Sequence, residues 1–278
     1  MKKRLLKLTL SAIVMLSLVF SFSSCLGDSD SEYEMTNDLV YINYDETAGM
    51  YAINSSGVTM TSDKIKTYSQ GDCAILSYKI KTGSTTGSLF LAENVSESDY
   101  FSRVEQAQLV SRTVPATIEN QVYPTTLRLY QSTFVPYNYM GDRWAFNLTY
   151  NDVASSGFVP AFYYDESAQF EKDSSGQETA LKANQVIIDV RFTKYNNNEG
   201  EAKAKEEKFI ANLSALRTYY ASKVDYTTSD AGEYESGKKA VPVYIKFRYQ
   251  TDPTKDPVYL GSSWTSQSGS CFMIFYED

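Results

Sequence analysis

Residues 185–195 read QVIIDVRFTKY. In an extended chain successive side chains point to opposite faces. Val186, Ile188, Val190 and Phe192 therefore share one face, and Ile187, Asp189, Arg191 and Thr193 share the other. One face is wholly apolar and the other carries charge, which is the signature of a strand with one side against a core. Residues 241–250, VPVYIKFRYQ, repeat the pattern with Val243, Ile245, Phe247 and Tyr249 on one side. RWAFNLTYN (143–151) groups Trp144, Phe146 and Leu148 in the same way. GFVPAFYYD (157–165) contains Pro160, whose missing N–H marks an edge or bulged strand. SGSCFMIFYED (268–278) reads as a final strand.

The first half of the chain is also strand-like. DLVYINY (38–44) is short and apolar, and MYAINSSGVTM (50–60) reads as a hairpin around Ser55, Ser56 and Gly57. CAILSYKIK (73–81) alternates, with Leu76, Tyr78 and Ile80 together, and GSLFLAE (87–93) follows. Residues 96–112 fit either a short helix or a wrapped connection. Pro115, Pro124 and Pro136 break up the next stretch, although TTLRLYQSTFV (125–135) retains strand character. The segment 199–223 is open: Phe209, Leu213, Leu216 and Tyr220 lie at helical spacing, whereas KFIANLSAL (208–216) suits a strand returning onto 185–195. The strand reading is preferred because the flanking elements are strands. The expectation is an all-β chain in two parts, an OB-like small barrel over 37–134 followed by a β-sandwich over 135–278.

Residues 1–24 stand apart. Lys2, Lys3, Arg4 and Lys7 precede an uncharged apolar run, Leu8–Phe22, that is shorter than the roughly 20 residues needed to span a bilayer. Small residues Ser23 and Ser24 follow, then Cys25. A basic start, a short apolar stretch and a small-residue end describe a secretory signal peptide. The cysteine at its boundary makes it a lipoprotein signal, with Cys25 the residue expected to be lipidated after cleavage. Residues 25–36 then form an acidic tether, with Asp28, Asp30, Glu32 and Glu34 at alternate positions. Acids at this place are expected to direct the protein to the outer membrane facing the cell exterior, with a periplasm-facing anchor as the alternative.

Removing residues 1–24 takes the formal net charge from −8 to −12. No cluster of Lys or Arg offers a phosphate-binding face, so no nucleic-acid partner is expected. The chain contains no histidine. That removes Ser-His-Asp and Cys-His chemistry and histidine-ligated metals. With Cys25 lipidated, Cys73 and Cys271 remain, too few for a structural zinc site. They are read either as one disulfide or as two buried thiols. No metal or cofactor is expected. Asp28, Asp30 and Glu32 loosely imitate the start of a calcium loop, but Tyr33 stands where glycine is required.

Several segments taken together, SSCLGDSDSE (23–32), YSQGDCAILSYKI (68–80), QVIIDVRFTKYNNN (185–198) and VPVYIKFRYQ (241–250), resemble the NigD-like lipoproteins of Bacteroidota-type bacteria. The resemblance implies an N-terminal OB-like barrel and a C-terminal β-sandwich across nearly all of the mature chain. It carries over no functional residue.

Tyrosine is abundant, at 23 of 278 residues against 2 Trp, as suits pleated surfaces. Three clusters are candidates for stacking on sugar rings or anchoring a protein: Tyr137 with Tyr139, Tyr163 with Tyr164, and Tyr219 with Tyr220. The competing reading is that they fill edge strands and core. The expected function is therefore a non-enzymatic, membrane-anchored envelope protein that binds a protein or glycan. The alternatives are a carboxylate-based surface hydrolase, for which spacing selects no acidic pair, and an assembly adaptor pairing through an open edge at 271–276.

Overall fold

The computed structural model describes residues 31–130, 140–153, 157–172, 175–195, 201–233, 237–261, 263–264 and 270–277. Cys25, Tyr137 and Tyr139 lie outside the described residues, as does the signal segment. Five strands form a closed barrel: β1 (Glu32–Asp45), β2 (Gly49–Asn54), β3 (Thr59–Thr61), β4 (Cys73–Thr86) and β5 (Leu89–Phe101). Their order around it is β1-β2-β3-β5-β4, with β3 parallel to β5 and β4 closing on β1. This is the OB-like barrel expected from the sequence. The 50–60 hairpin forms as read: the Asn54 carboxamide oxygen accepts from the Ser56 and Val58 amides, and Gly57 takes φ of 80°. Inside the barrel, Tyr78 and Asn54 both donate to the buried Asp38 carboxylate, at 2.5 and 2.8 Å.

The rest of the chain builds one large bent sheet. Its strands are β6 (Ala107–Ser111), β7 (Gln121–Val122), β8 (Thr126–Leu129), β9 (Arg143–Asp152) and β10 (Phe158–Tyr164). A two-stranded flap, β11 (Phe170–Lys172) with β12 (Glu178–Ala180), follows. Then come β13 (Gln185–Lys194), β14 (Lys203–Asn212), helix α1 (Ala215–Tyr220), β15 (Gly232–Glu233), β16 (Lys239–Tyr249), β17 (Val258–Leu260) and β18 (Cys271–Tyr276). β6 is the corner: Ala107 and Gln108 pair with β14, and Leu109 to Ser111 pair with β10. One strand shared by two sheets folds them face to face as a sandwich. Between them lies an aromatic core in which Phe146 contacts Phe209, Phe162 and Phe247 at ring separations of 5.3, 5.6 and 5.2 Å. Val186, Ile188, Val190 and Phe192 all point into it, as their spacing predicts.

Three expectations need correction. The boundary between the parts lies between Phe101 and Ala107, not near residue 134, because β6, β7 and β8 pair with strands of the large sheet. Glu32 to Met35, expected in a free tether, are already paired with β4. The 199–223 segment does form a strand, but β14 pairs along ten residues with β9 rather than β13, and the helical spacing after it is realised as α1. Pro160 sits within the sheet without penalty, because β10 gains its second neighbour only from Phe162 onward.

The two parts dock through a small apolar cluster. Leu39, Tyr41, Cys73 and Ile75 of the barrel meet Met140, Ala145 and Ile210 of the sandwich. Gly141 takes φ of 58° directly against the Tyr41 ring. Lys208 bonds Asp99 across the junction at 2.9 Å.

Candidate functional site

The alternation that buries one face of β13 and β16 sends charge to the other. β13 and β16 are parallel neighbours, with Ile187 beside Lys246 and Asp189 beside Arg248. Asp189, Arg191, Lys246 and Arg248 therefore form one patch on the outer face of the sandwich. A sequence pattern alone assigns that face to solvent, yet the Asp189 side chain is only 2% exposed. The flap formed by β11 and β12, with the loop that carries Trp264, lies over it and is held by contacts from the patch itself.

Asp189 is shared by two guanidiniums. Arg248 bonds it in a fork, Nε to Oδ1 at 2.9 Å and Nη2 to Oδ2 at 2.7 Å, while Arg191 Nη2 reaches Oδ1 at 3.2 Å. Forked guanidinium–carboxylate geometry is the strong form of such a pair. Arg191 Nη1 donates to the Val190 and Arg248 carbonyls at 2.9 and 3.4 Å, and Arg248 Nη2 reaches the Ala168 carbonyl at 3.4 Å. Burial is the largest influence on both bases. It pulls Arg191 below its ordinary value, with the attraction of Asp189 opposing and the repulsion of Arg248 adding. At Arg248 the bonds and charge of Asp189 outweigh burial and raise it. These groups face a cleft of about 430 Å³, bounded by Phe170, Tyr259 and Asp165.

Two residues along β16, Lys246 bonds Glu171 of the flap at 2.6 Å. Its ammonium lies 4.3 Å from the Trp264 ring and 5.8 Å from the Tyr259 ring. The Trp264 indole N–H donates to the other oxygen of Glu171 at 2.8 Å. Burial works against ionisation of Glu171, but the hydrogen bonds from Lys246 and Trp264 outweigh it and hold the carboxyl below its usual range. Trp264 is thus fixed by both its ring face and its N–H. It borders a second cleft of about 520 Å³ with a lining of Asn184, Lys182, Thr228, Ser229 and Asp230. An indole wall beside hydroxyl, amide, amine and carboxylate groups supplies an apolar platform with several oriented hydrogen bonds.

The tyrosine clusters do not form this site. Tyr164 stacks on Tyr219 at 6.3 Å and meets Tyr220 edge-on at 6.4 Å, so two of the three clusters do converge. They do so inside the sandwich, where Tyr164 and Tyr220 belong to the core and Tyr219 packs against it. The expectation of exposed stacking surfaces is overturned for Tyr163, Tyr164 and Tyr220, which are all buried. Tyr163 lies on the outer face beside Asp189 in register, under the Arg112 guanidinium at 5.3 Å. Cys73 and Cys271 are free and buried in different clusters, one at the domain junction and one in the sandwich core, so they do not form the disulfide. Burial pushes each thiol up to about 12. The sequence signal for the real patch was present: charged residues at i and i+2 on two strands whose other face is fully apolar. Nothing local identified Glu171 and Trp264 as the groups that cover it.

Fold and cleft together define a two-part all-β protein, an OB-like barrel joined to a β-sandwich with a flap-covered polar patch. No protein-family model matches the chain, and no curated protein sequence matches it. Solved structures with a similar course include a protein of unknown function, DUF1344, from Bacteroides vulgatus, at 10% identity and a TM-score of 0.46, covering 85% of this chain and 94% of that one. A putative toxin-related protein from Parabacteroides distasonis is 8% identical with a TM-score of 0.40, covering 89% and 94%. A NigD-like immunity protein from Bacteroides caccae is 11% identical with a TM-score of 0.40, covering 84% and 92%.

Proposed function

We propose that this is a lipid-anchored envelope protein without catalytic activity, exposed at the cell exterior, that binds a glycan through the cleft beside Trp264. The observation that carries the reading is the immobilised indole at the mouth of a polar cleft. A ring already held by Glu171 and Lys246 loses little freedom when a sugar stacks on it, and preorganisation of this kind favours affinity. The cleft's lining suits hydroxyl-rich ligands better than a flat protein surface. The lack of histidine and the buried, un-ionised thiols support a binding rather than a catalytic role. Cys25, after its basic and apolar leader, supports the anchor. A glycan array probed with the purified full-length lipoprotein and with Trp264→Ala tests the reading. Binding of a glycan by the wild type, weakened at least tenfold in the variant, is expected. Wild-type binding that the variant leaves unchanged refutes the site, and absence of any glycan binding refutes the function. Palmitate labelling that persists in Cys25→Ser refutes the anchor.

A further inference from the structure

We propose that the open end of the barrel seats one of the acyl chains carried by Cys25. The inference rests on the lipid anchor proposed above and says where part of that anchor goes. The first residues of β1, Glu32 to Met35, pair with β4 alone, because β2 reaches β1 only from Val40 onward. The barrel wall is therefore incomplete at this end. Alternation puts Tyr33 opposite Ile80 and Met35 opposite Tyr78, while Glu32 and Glu34 take the other face, where both meet Lys79. Tyr33, Met35, Val58, Ile80 and Phe90 bound an apolar pocket of about 450 Å³ that continues the barrel core outward. Its size falls within the range of small-molecule sites, roughly 300–1,000 Å³.

The pocket suits an uncharged, apolar occupant. No charged side chain is among its lining residues. The polar groups at its floor are engaged already: Tyr78 and Asn54 donate to Asp38, and the Asn54 oxygen accepts from the Ser56 and Val58 amides. Lys79 and Lys81, which flank Ile80 and point away from it, are paired with Glu34 at 3.3 Å and Glu93 at 3.0 Å. A free fatty acid or a phospholipid brings a charged head, for which the lining offers no counter-charge. A chain delivered by its own tether needs none. Seating it removes the Tyr33 ring, 37% exposed, and the wall around it from water.

The tether leaves from the rim of this pocket. The Ser31 carbonyl accepts from the Thr82 amide at 3.1 Å and from the Thr82 hydroxyl at 3.3 Å, and Thr82 is itself a lining residue. Cys25 lies six residues before Ser31, no more than about 20 Å along an extended chain. So short a tether sets the effective concentration of its lipid at the mouth in the millimolar range. A lipidated cysteine carries more than one acyl chain, so one in the pocket leaves the rest in the bilayer. The barrel mouth is then held at the membrane surface rather than swinging on the tether.

The test uses the full-length lipoprotein in the membranes of the cells that make it. The cells are grown on a palmitate analogue with a photoactivatable diazirine in its chain and irradiated, and the digested protein is mapped by mass spectrometry. Cys25 is expected to carry the analogue, and its chain to be joined to peptides containing Ile80 or Phe90. Met35→Asp places a carboxylate in the pocket wall, where an ionised group disfavours an acyl chain. It is expected to keep the label on Cys25 and to lower the joined product about tenfold or more. If Met35→Asp does not fold, the wild-type map still decides. Label on Cys25 with no product in the pocket, or a product undiminished in folded Met35→Asp, overturns the inference and leaves the anchor in place. Pocket peptides joined to phospholipid instead of to Cys25 overturn the assigned occupant. Absence of label from Cys25 overturns the anchor and the inference together.

Discussion

Gly141→Ala probes how the barrel and sandwich are joined. Gly141 has φ of 58°, and a Cβ built there lies 2.5 Å from Tyr41 Cζ and 2.6 Å from its hydroxyl. Two costs arise. An L-residue in the left-handed region is disfavoured by roughly 1–2 kcal/mol. Forcing a methyl into a packed contact adds about 1–3 kcal/mol. Tyr41 has little room to yield: it is 7% exposed, lies in the junction cluster, and has Arg143 at 5.9 Å from its ring. Gly49→Ala is the matched control, since Gly49 has φ of 74° with nothing within 4 Å of its Cβ position. It carries the backbone cost alone. The two variants should therefore differ by the clash, about 1–3 kcal/mol, or roughly 2–12 °C in melting temperature for a chain of this size. Thermal and urea unfolding of the two proteins measures this. In a Tyr41→Leu background the extra loss from Gly141→Ala should shrink, because the pair is coupled through one contact. Equal losses at Gly141 and Gly49, within about 0.5 kcal/mol, would show that the ring does not confine Gly141 and that the junction is looser than described.

Asp189→Asn leaves two guanidiniums without their counter-charge and is expected to cost about 3–5 kcal/mol in urea unfolding; a loss below 1 kcal/mol would mean that water reaches the pair. In Cys25→Ser, native protein at pH 8 should not react with a thiol reagent, because burial holds both remaining thiols up to about 12, and two equivalents should react after denaturation; one or none after denaturation would reveal a bridge or a modification. Glu171 has a folded-state value depressed below its ordinary 4.5, so its contribution is present above about pH 4.5 and is lost as pH falls through the lower folded value. Glu171→Gln should flatten the stability profile across that acid window and change Trp264 fluorescence; an unchanged profile would disconnect the flap from its carboxylate.

Much of the architecture was legible because the signal is local. Period-two alternation in 185–195, 241–250 and 143–151 named the core residues, and Val186, Phe146 and Phe247 are all fully buried. Pairing partners were less legible. β6 runs parallel to both β10 and β14 across separations of more than 50 and 100 residues, and no property of AQLVS states which strands it joins. That non-local pairing moved the domain boundary. It also gave β14 to β9, where a hairpin with the preceding strand was the simpler local reading. The tyrosines were ambiguous for a related reason: adjacent aromatics must face opposite ways, but which way is buried depends on what covers each face.

That last dependence explains the site as well. A sandwich sheet has an inner face that folds the domain and an outer face that ordinarily meets water. Here the outer faces of β13 and β16 carry Asp189, Arg191, Lys246 and Arg248 in register, and charges so placed need no partner while they are solvated. The flap changes their energetics. By lowering β11, β12 and Trp264 onto the patch, it raises the value of every pairing beneath, since a carboxylate between guanidiniums is worth more in a less polar surrounding. Glu171 links the two: it gives Lys246 a counter-ion and accepts a hydrogen bond from the indole N–H, so one flap residue both pairs the lysine and fixes the aromatic wall. The Lys246 charge is thereby balanced from the flap, while Asp189 holds the two guanidiniums from within the sheet. A flap present only for stability would be better served by an apolar seal, because well-packed hydrophobic groups commonly equal or exceed buried ion pairs in stability.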